Sequence, residues 1–178
     1  MLESINVQLG RKKGESPEGA ELKDKLKQFI LGVDPGTTQT AYCLVGRDYK
    51  IQLADKVPND EFVKMCVSSP NVHIVIESLQ SYGMAVGREV FETAYMIGRI
   101  MQKAMDNGLR YTLYPRPEYA KAICGVQKIN DAVLRQSLLL RFGDDKKDGP
   151  LFRLKGCTDK RSAFAIAAYH LDKTRGGR

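Results

Sequence analysis

Two short apolar runs in this chain each end in a carboxylate. FILGVD (29–34) closes on Asp34 before the turn sequence PGTT, and VHIVIE (72–77) closes on Glu77 before a glycine-containing loop, SLQSYGMAVG. Runs of this length bounded by turn residues read as buried strands. A carboxylate set directly after such a strand is costly to bury unless something offsets its charge. The placement that follows puts both acids where buried strands emerge, at one edge of a sheet. If the two strands are parallel neighbours, the carboxylates lie side by side.

The rest of the chain supplies the partners of those strands. TAYCLVG and YKIQLAD, separated by Gly46 and Asp48, complete a three-stranded antiparallel meander. PNDEFVKMCVSS suits a short helix capped by Asn59 or Asp60. REVFETAYMIGRIMQKAMDNG is a long helix stopped at Gly108. Its Val90, Phe91, Ala94, Ile97, Gly98, Met101 and Met105 recur at three- and four-residue steps and define the face expected against the sheet. RYTLYP reads as a fifth strand, and PEYAKAICG as a short helix opened by Pro117. NDAVLRQSLLLRFG is a helix capped by Asn130 or Asp131 and stopped by Gly143. DDKKDGPLFRLKG is a charged loop, and TDKRSAFAIAAYHLDK the last helix.

The order β-β-β-α-β-α-β-α-α-α predicts one α/β domain with a mixed five-stranded sheet flanked by helices. It spans residues 28–173, with a polar, mobile arm over 1–27 and a loose tail over 174–178. The 178 residues suit a single domain.

Several function classes drop out. No run approaches the eighteen or so apolar residues of a membrane span, and the N-terminal sequence lacks the apolar core of a secretory signal. The expected location is the cytoplasm, of a bacterial cell or a phage-infected host. Cys43, Cys66, Cys124 and Cys157 are widely spaced, and His73 and His170 are the only histidines. No zinc ligand set follows, and the thiols read as reduced and mostly packed. The net charge of +7 falls entirely in residues 111–178, which hold 14 basic and 7 acidic side chains. That concentration fits either a polyanion partner, nucleic acid being the commonest, or a solvated basic surface.

A third acid, Asp159, stands at the first turn of the last helix. Alone it is an ordinary helix-terminal aspartate. Over the edge that holds Asp34 and Glu77 it completes a self-repelling cluster of hard oxygens, which magnesium suits. Two such ions about 4 Å apart activate water and stabilise the leaving oxygen of a phosphodiester. His170 returns to nearly the same helix face as Asp159 but about 16 Å along the axis, too far to share an ion. It reads as a structural or surface residue.

ILGVDPGTTQTAY, VIES and DKRSAFAIAAYH, in that order, resemble the RuvC-type Holliday junction resolvases. SYGMAVGREVFET directly after Glu77 is closest to the shorter, divergent members found in bacteriophages. The likeness spans residues 29–172. It implies a ribonuclease H-like fold and an endonuclease that resolves four-way or branched DNA by paired cuts, leaving from the 3′ oxygen. It also implies two magnesium ions per site, with manganese able to substitute, and a homodimer. The residues carried over as catalytic metal ligands are Asp34, Glu77 and Asp159.

The family pattern has a second aspartate one helical turn after the third acid. Here that position is Ser162, a poor magnesium ligand that can hold a ligated water. A weakly held second ion remains open, as does a fourth carboxylate from elsewhere. Asp131 is a candidate for the latter, unless it only caps its helix. Lys121 falls where the family carries a lysine that would stabilise charge on the phosphate. Lys128, Lys155, Lys160 and Arg161 would position backbone phosphates without reading sequence. The loop after Glu77 enters the junction in the family. Here it offers Tyr82 and Met84, and Tyr82 either stacks on a base, for about 1–3 kcal/mol, or packs on its own loop. Tyr95 and Met96 leave the main stripe of the long helix and would form a dimer face.

Three rival readings stand beside this one. DPGTT resembles the first phosphate loop of actin-type and sugar-kinase-type ATPases, but the chain is too short for their two domains and carries no G-x-x-x-x-G-K-[ST], so no nucleotide cofactor is expected. A nuclease of the same fold could act on other branched DNA or on ribosomal RNA precursors. A non-catalytic junction-binding module is the reading that Ser162 favours.

Overall fold

The computed structural model describes residues 29–65, 71–81, 83 and 85–175. The expected arm over 1–27, Cys66, Tyr82, Met84 and the end of the tail lie outside the described residues. Five strands form one sheet: β1 (Phe29–Pro35), β2 (Gln39–Val45), β3 (Ile51–Pro58), β4 (Val72–Ser78) and β5 (Arg110–Pro115). The helices are α1 (Asn59–Met65), α2 (Arg88–Asp106), α3 (Arg116–Cys124), α4 (Asp131–Phe142) and α5 (Thr158–Arg175), with a 3-10 turn at Phe152–Leu154.

The sheet order is β3-β2-β1-β4-β5. β1, β2 and β3 are antiparallel neighbours, as a meander must be. β4 runs parallel to β1 and β5 parallel to β4. Parallel neighbours need a crossover: β2, β3 and α1 lie between β1 and β4, and α2 lies between β4 and β5. The mixed five-stranded sheet of the sequence analysis is therefore the observed one.

Alternation along the strands sorts the core into two layers. Ile30, Cys43 and Val75 face α5, together with residues of α3 and α4. Val33, Tyr42, Ile74 and Ile76 face α1 and α2. Helix α5 is the centre of its layer. Ser162 through Ala168 are buried without interruption, so the helix is enclosed on all sides rather than amphipathic.

Four local expectations change. The face that α2 turns to the sheet is Met96, Ile97, Ile100 and Ala104, all buried, while Phe91, Tyr95 and Met105 are exposed. The stripe expected in the core was a mixture of both faces, because apolar residues run up two sides of this helix. The sheet takes the side carrying Ile97 and Ile100, and Gly98 falls on the open side. The charged loop 144–156 folds inward at Leu151 and Leu154, which are buried against α4 and α5. The last helix extends to Arg175, two residues past its expected end. Asn130 alone caps α4, accepting from the Val133 N–H at 2.9 Å; Asp131 does not cap.

Asn59 turns the start of α1 into a clasp. Its side chain accepts from the Thr40 hydroxyl at 2.8 Å and donates to the carbonyls of Gly36 and Thr37 at 3.1 and 3.0 Å. The PGTT turn after Asp34 is thereby pinned.

Among the described residues Cys43 is a buried free thiol and Cys124 and Cys157 are half-buried ones. No described helix is long and apolar enough to cross a membrane.

Candidate active site

The parallel register of β1 on β4 pairs Val33 with Ile76, and one step further sets Asp34 beside Glu77. Both belong to the alternation that points towards α5, since Val75 and Ile30 lie in that layer. Asp34 is also opposite Ala41 on β2, and Ala41 is opposite Lys56 on β3. Lys56, Ala41, Asp34 and Glu77 therefore form one row across the sheet on one face. Ala41 is small and fully buried, which leaves the long Lys56 side chain free to lean over it.

The third acid is delivered by a close contact between helix and strand. Gly32 lies against Ala163, and a Cβ built on Gly32 would stand 1.9 Å from the Ala163 carbonyl oxygen. Only glycine permits that approach. From this contact Asp34 is two residues along the strand, a rise of about 6.6 Å. Asp159 is four residues back along the helix, a rise of about 6 Å on the same face. The two rises match, so the start of α5 arrives at the end of β1.

The acids sense one another. Burial pushes Asp34 up to about 8, with the charges of Glu77 and Asp159 adding to the rise and Arg116 opposing it. Burial also raises Glu77, against a hydrogen bond from Tyr119 and the charge of Arg116, with Asp159 and Asp131 pushing up further. For Asp159 burial acts upward too, but hydrogen bonds from Lys56 and Thr158 and the charges of Lys56 and Arg116 outweigh it, and its carboxyl is held low.

Each acid is held by a protein donor. The Tyr119 hydroxyl donates to Glu77 Oε2 at 2.6 Å. Lys56 Nζ donates to Asp159 Oδ2 at 2.5 Å. Ser162 bears on Asp34 and favours its ionised form. Arg116 donates to Ser162 Oγ at 2.8 Å and to Asp131 Oδ1 at 2.5 Å. As the side chains stand, no three His, Cys, Asp or Glu among the described residues form a ready cage for a metal ion. The Lys56–Asp159 pair is more than a third exposed on both sides. Such pairs contribute about 1 kcal/mol at most, so Asp159 can be given up to a competing cation. The donor set suits a hard divalent ion: carboxylate oxygens, half-buried and mutually repelling.

Several site residues escaped the sequence analysis. Gly32 left no signal beyond being a glycine in a strand, which marks a close backbone approach. Arg116 and Tyr119, three residues apart at the start of a helix directly after β5, did carry one, since that spacing shares a face. Lys56 is visible only once the register is known. Asp131 joins the site through Arg116. Lys121 is exposed, and at 100° per residue its side chain leaves α3 nearly opposite the direction shared by Arg116 and Tyr119. The cations brought to the acids among the described residues are Lys56 and Arg116 instead. Lys128 and Lys155 are exposed, and Lys160 and Arg161 are half-buried just after Asp159. His170 is buried and structural.

No family model and no curated protein matches the sequence. Solved structures do match the fold. A structure of Thermus thermophilus RuvC in complex with a Holliday junction substrate superimposes with a TM-score of 0.64 at 13% identity, covering 84% of this chain and 96% of that one. A second Thermus thermophilus RuvC structure gives a TM-score of 0.59 at 15% identity, covering 84% and 97%. At such identities the likeness establishes the architecture, and this chain has the ribonuclease H-like fold of RuvC over nearly the whole length of those proteins.

Proposed function

We propose that this protein is a divalent-metal-dependent, structure-selective DNA endonuclease that resolves four-way or branched junctions, working as a homodimer. The observation that carries this reading is the convergence of Asp34, Glu77 and Asp159 at one sheet edge. They come from two adjacent parallel strands and one helix start, and burial first, then the charges of Glu77 and Asp159, raises Asp34 to about 8. A structural protein gains nothing from gathering like charges in a half-buried place. A phosphodiesterase does, because a bound magnesium ion there supplies an activated water and stabilises the oxygen that leaves.

The chain's own residues would do the rest. Asp34, Glu77 and Asp159 would hold the ion, with Tyr119 fixing the Glu77 carboxylate. Lys56 and Arg116 set positive charge beside the position a scissile phosphate would take. Lys128, Lys155, Lys160 and Arg161, in the basic third of the chain, would meet flanking backbone phosphates. The matched RuvC structure that holds a Holliday junction substrate supports branched DNA as the substrate class. The exposed face of α2, with Phe91 (52% exposed), Tyr95 (69%) and Met105 (51%), offers an apolar stripe for a second copy, and two equivalent sites suit two equivalent strands. Met96, half of the dimer face expected from sequence, is in the core instead.

One observation favours a binding-only module: Ser162 stands where the resemblance expects an acid, and Arg116 holds its hydroxyl. A labelled synthetic four-way junction and a linear duplex, each incubated with and without magnesium, separate the readings. Symmetric nicks in the junction alone, only with magnesium, are the expected result. A shifted but uncut junction would establish the binding module.

A further inference from the structure

We propose that the guanidinium of Arg116 fills the place of a second cation in the acid cluster, so that the site takes one divalent ion rather than two. This rests on the reading of the cluster as a metal-binding nuclease site and specifies its stoichiometry.

Arg116 opens α3 directly after β5, whose last residue pairs with Ser78 beside Glu77. From there one side chain reaches α4 and α5 together: it donates to Asp131 Oδ1 at 2.5 Å and to Ser162 Oγ at 2.8 Å. Its charge lowers Asp34, Glu77 and Asp159 alike, which is what a bound cation would do to all three. Ser162 is only 2% exposed, its hydroxyl bears on Asp34, and that oxygen is already accepting from Arg116. A guanidinium has donors and no acceptor. A metal ion drawn to Ser162 would therefore have to displace a like charge before finding a ligand.

The test needs only the full chain and Mn2+, without DNA. Free and bound Mn2+ are counted by electron paramagnetic resonance during a titration, with calorimetry as a second readout. The wild-type protein is expected to bind one Mn2+ per chain. The double variant Arg116→Ala with Ser162→Asp removes the fixed cation and supplies a carboxylate, and it is expected to bind two. Two ions of similar affinity in the wild type would overturn this inference while leaving the nuclease reading intact. So would a folded double variant that still binds one. No binding by the wild type would overturn the nuclease reading itself. If circular dichroism shows the double variant unfolded, the wild-type count decides alone.

Discussion

Strand β4 and helix α5 pack against each other, and each carries ionisable groups at both of its ends. At one end Glu77 meets Asp34 and Asp159. At the other His73 lies with its ring 4.4 Å from that of His170. The two clusters resolve burial in opposite ways. The His73 ring shares a hydrogen bond with the Thr112 hydroxyl at 2.8 Å, and His170 shares one with the Tyr114 hydroxyl at 3.1 Å. Burial first, then neighbouring positive charge, lowers both histidines, His73 to about 4. The pair is neutral, partnered and complete. The acid end is partnered by groups that a cation can displace or complement, and burial, with repulsion from neighbouring acids behind it, pushes Asp34 and Glu77 towards neutrality. A polar cluster that satisfies itself is architecture, whereas one that remains short of charge is a binding site.

The largest expected effect that would test this contrast is at the contact on which the acid end depends. Gly32→Ala forces the helix off the strand. Overpacking of this kind costs about 3 kcal/mol or more, and here it also carries Asp159 away from Asp34. Chemical denaturation should show the loss of stability, and Mn2+ affinity should fall with it. At the opposite end, His170→Ala leaves the Tyr114 hydroxyl without its partner, at a cost of about 1–3 kcal/mol. Mn2+ affinity should not change, and a fall in it would mean that the two ends are not independent.

Tyr119→Phe removes only the hydroxyl that orients Glu77. Partners of metal ligands typically affect metal affinity by about 10–100-fold when removed, whereas the stability change should stay near 1 kcal/mol. Calorimetric Mn2+ titration beside thermal unfolding reads both.

A separate effect is in the pH profile of the metal-free protein. The Asp34 carboxyl has its native pKa raised from 3.8 to about 8, so the native state holds that proton more tightly than the unfolded chain. Its contribution to stability falls as pH climbs through that interval. His73 is lowered from 6.5 to about 4, so the unfolded chain takes up the proton first and stability falls as pH drops through that interval. The two slopes oppose each other between about pH 4 and 6.5, so melting temperature should be nearly flat there and decline from about pH 6.5 to 8. Asp34→Asn should remove the alkaline decline and uncover the fall that His73 imposes as pH drops below about 6.5, at about 2–4 °C per kcal/mol.

The fold was legible in the sequence because its signals are local. Apolar runs ended by turns gave the five strands, and their order gave the mixed sheet. The three acids were legible because a carboxylate closing a buried strand is conspicuous. What could not be read depends on register and on approach distances. Lys56 reaches Asp159 because β3 is paired to β2 in one register and Ala41 is small. Gly32 matters because of what lies 1.9 Å from its missing Cβ. The faces of α2 were confused because both sides carry apolar residues, and only the sheet selects between them. Arg116 and Tyr119 were readable in principle from their spacing, but nothing in the sequence alone says which way that helix turns.

The central claim is that Asp34, Glu77 and Asp159 act together on a phosphodiester. It is tested most directly by comparing Asp34→Asn with the wild type on one labelled four-way junction, measuring binding and magnesium-dependent cutting in the same samples. The account predicts that cutting falls to background while junction binding persists and the variant melts no lower than the wild type in metal-free buffer. Cutting that survives the substitution would contradict it.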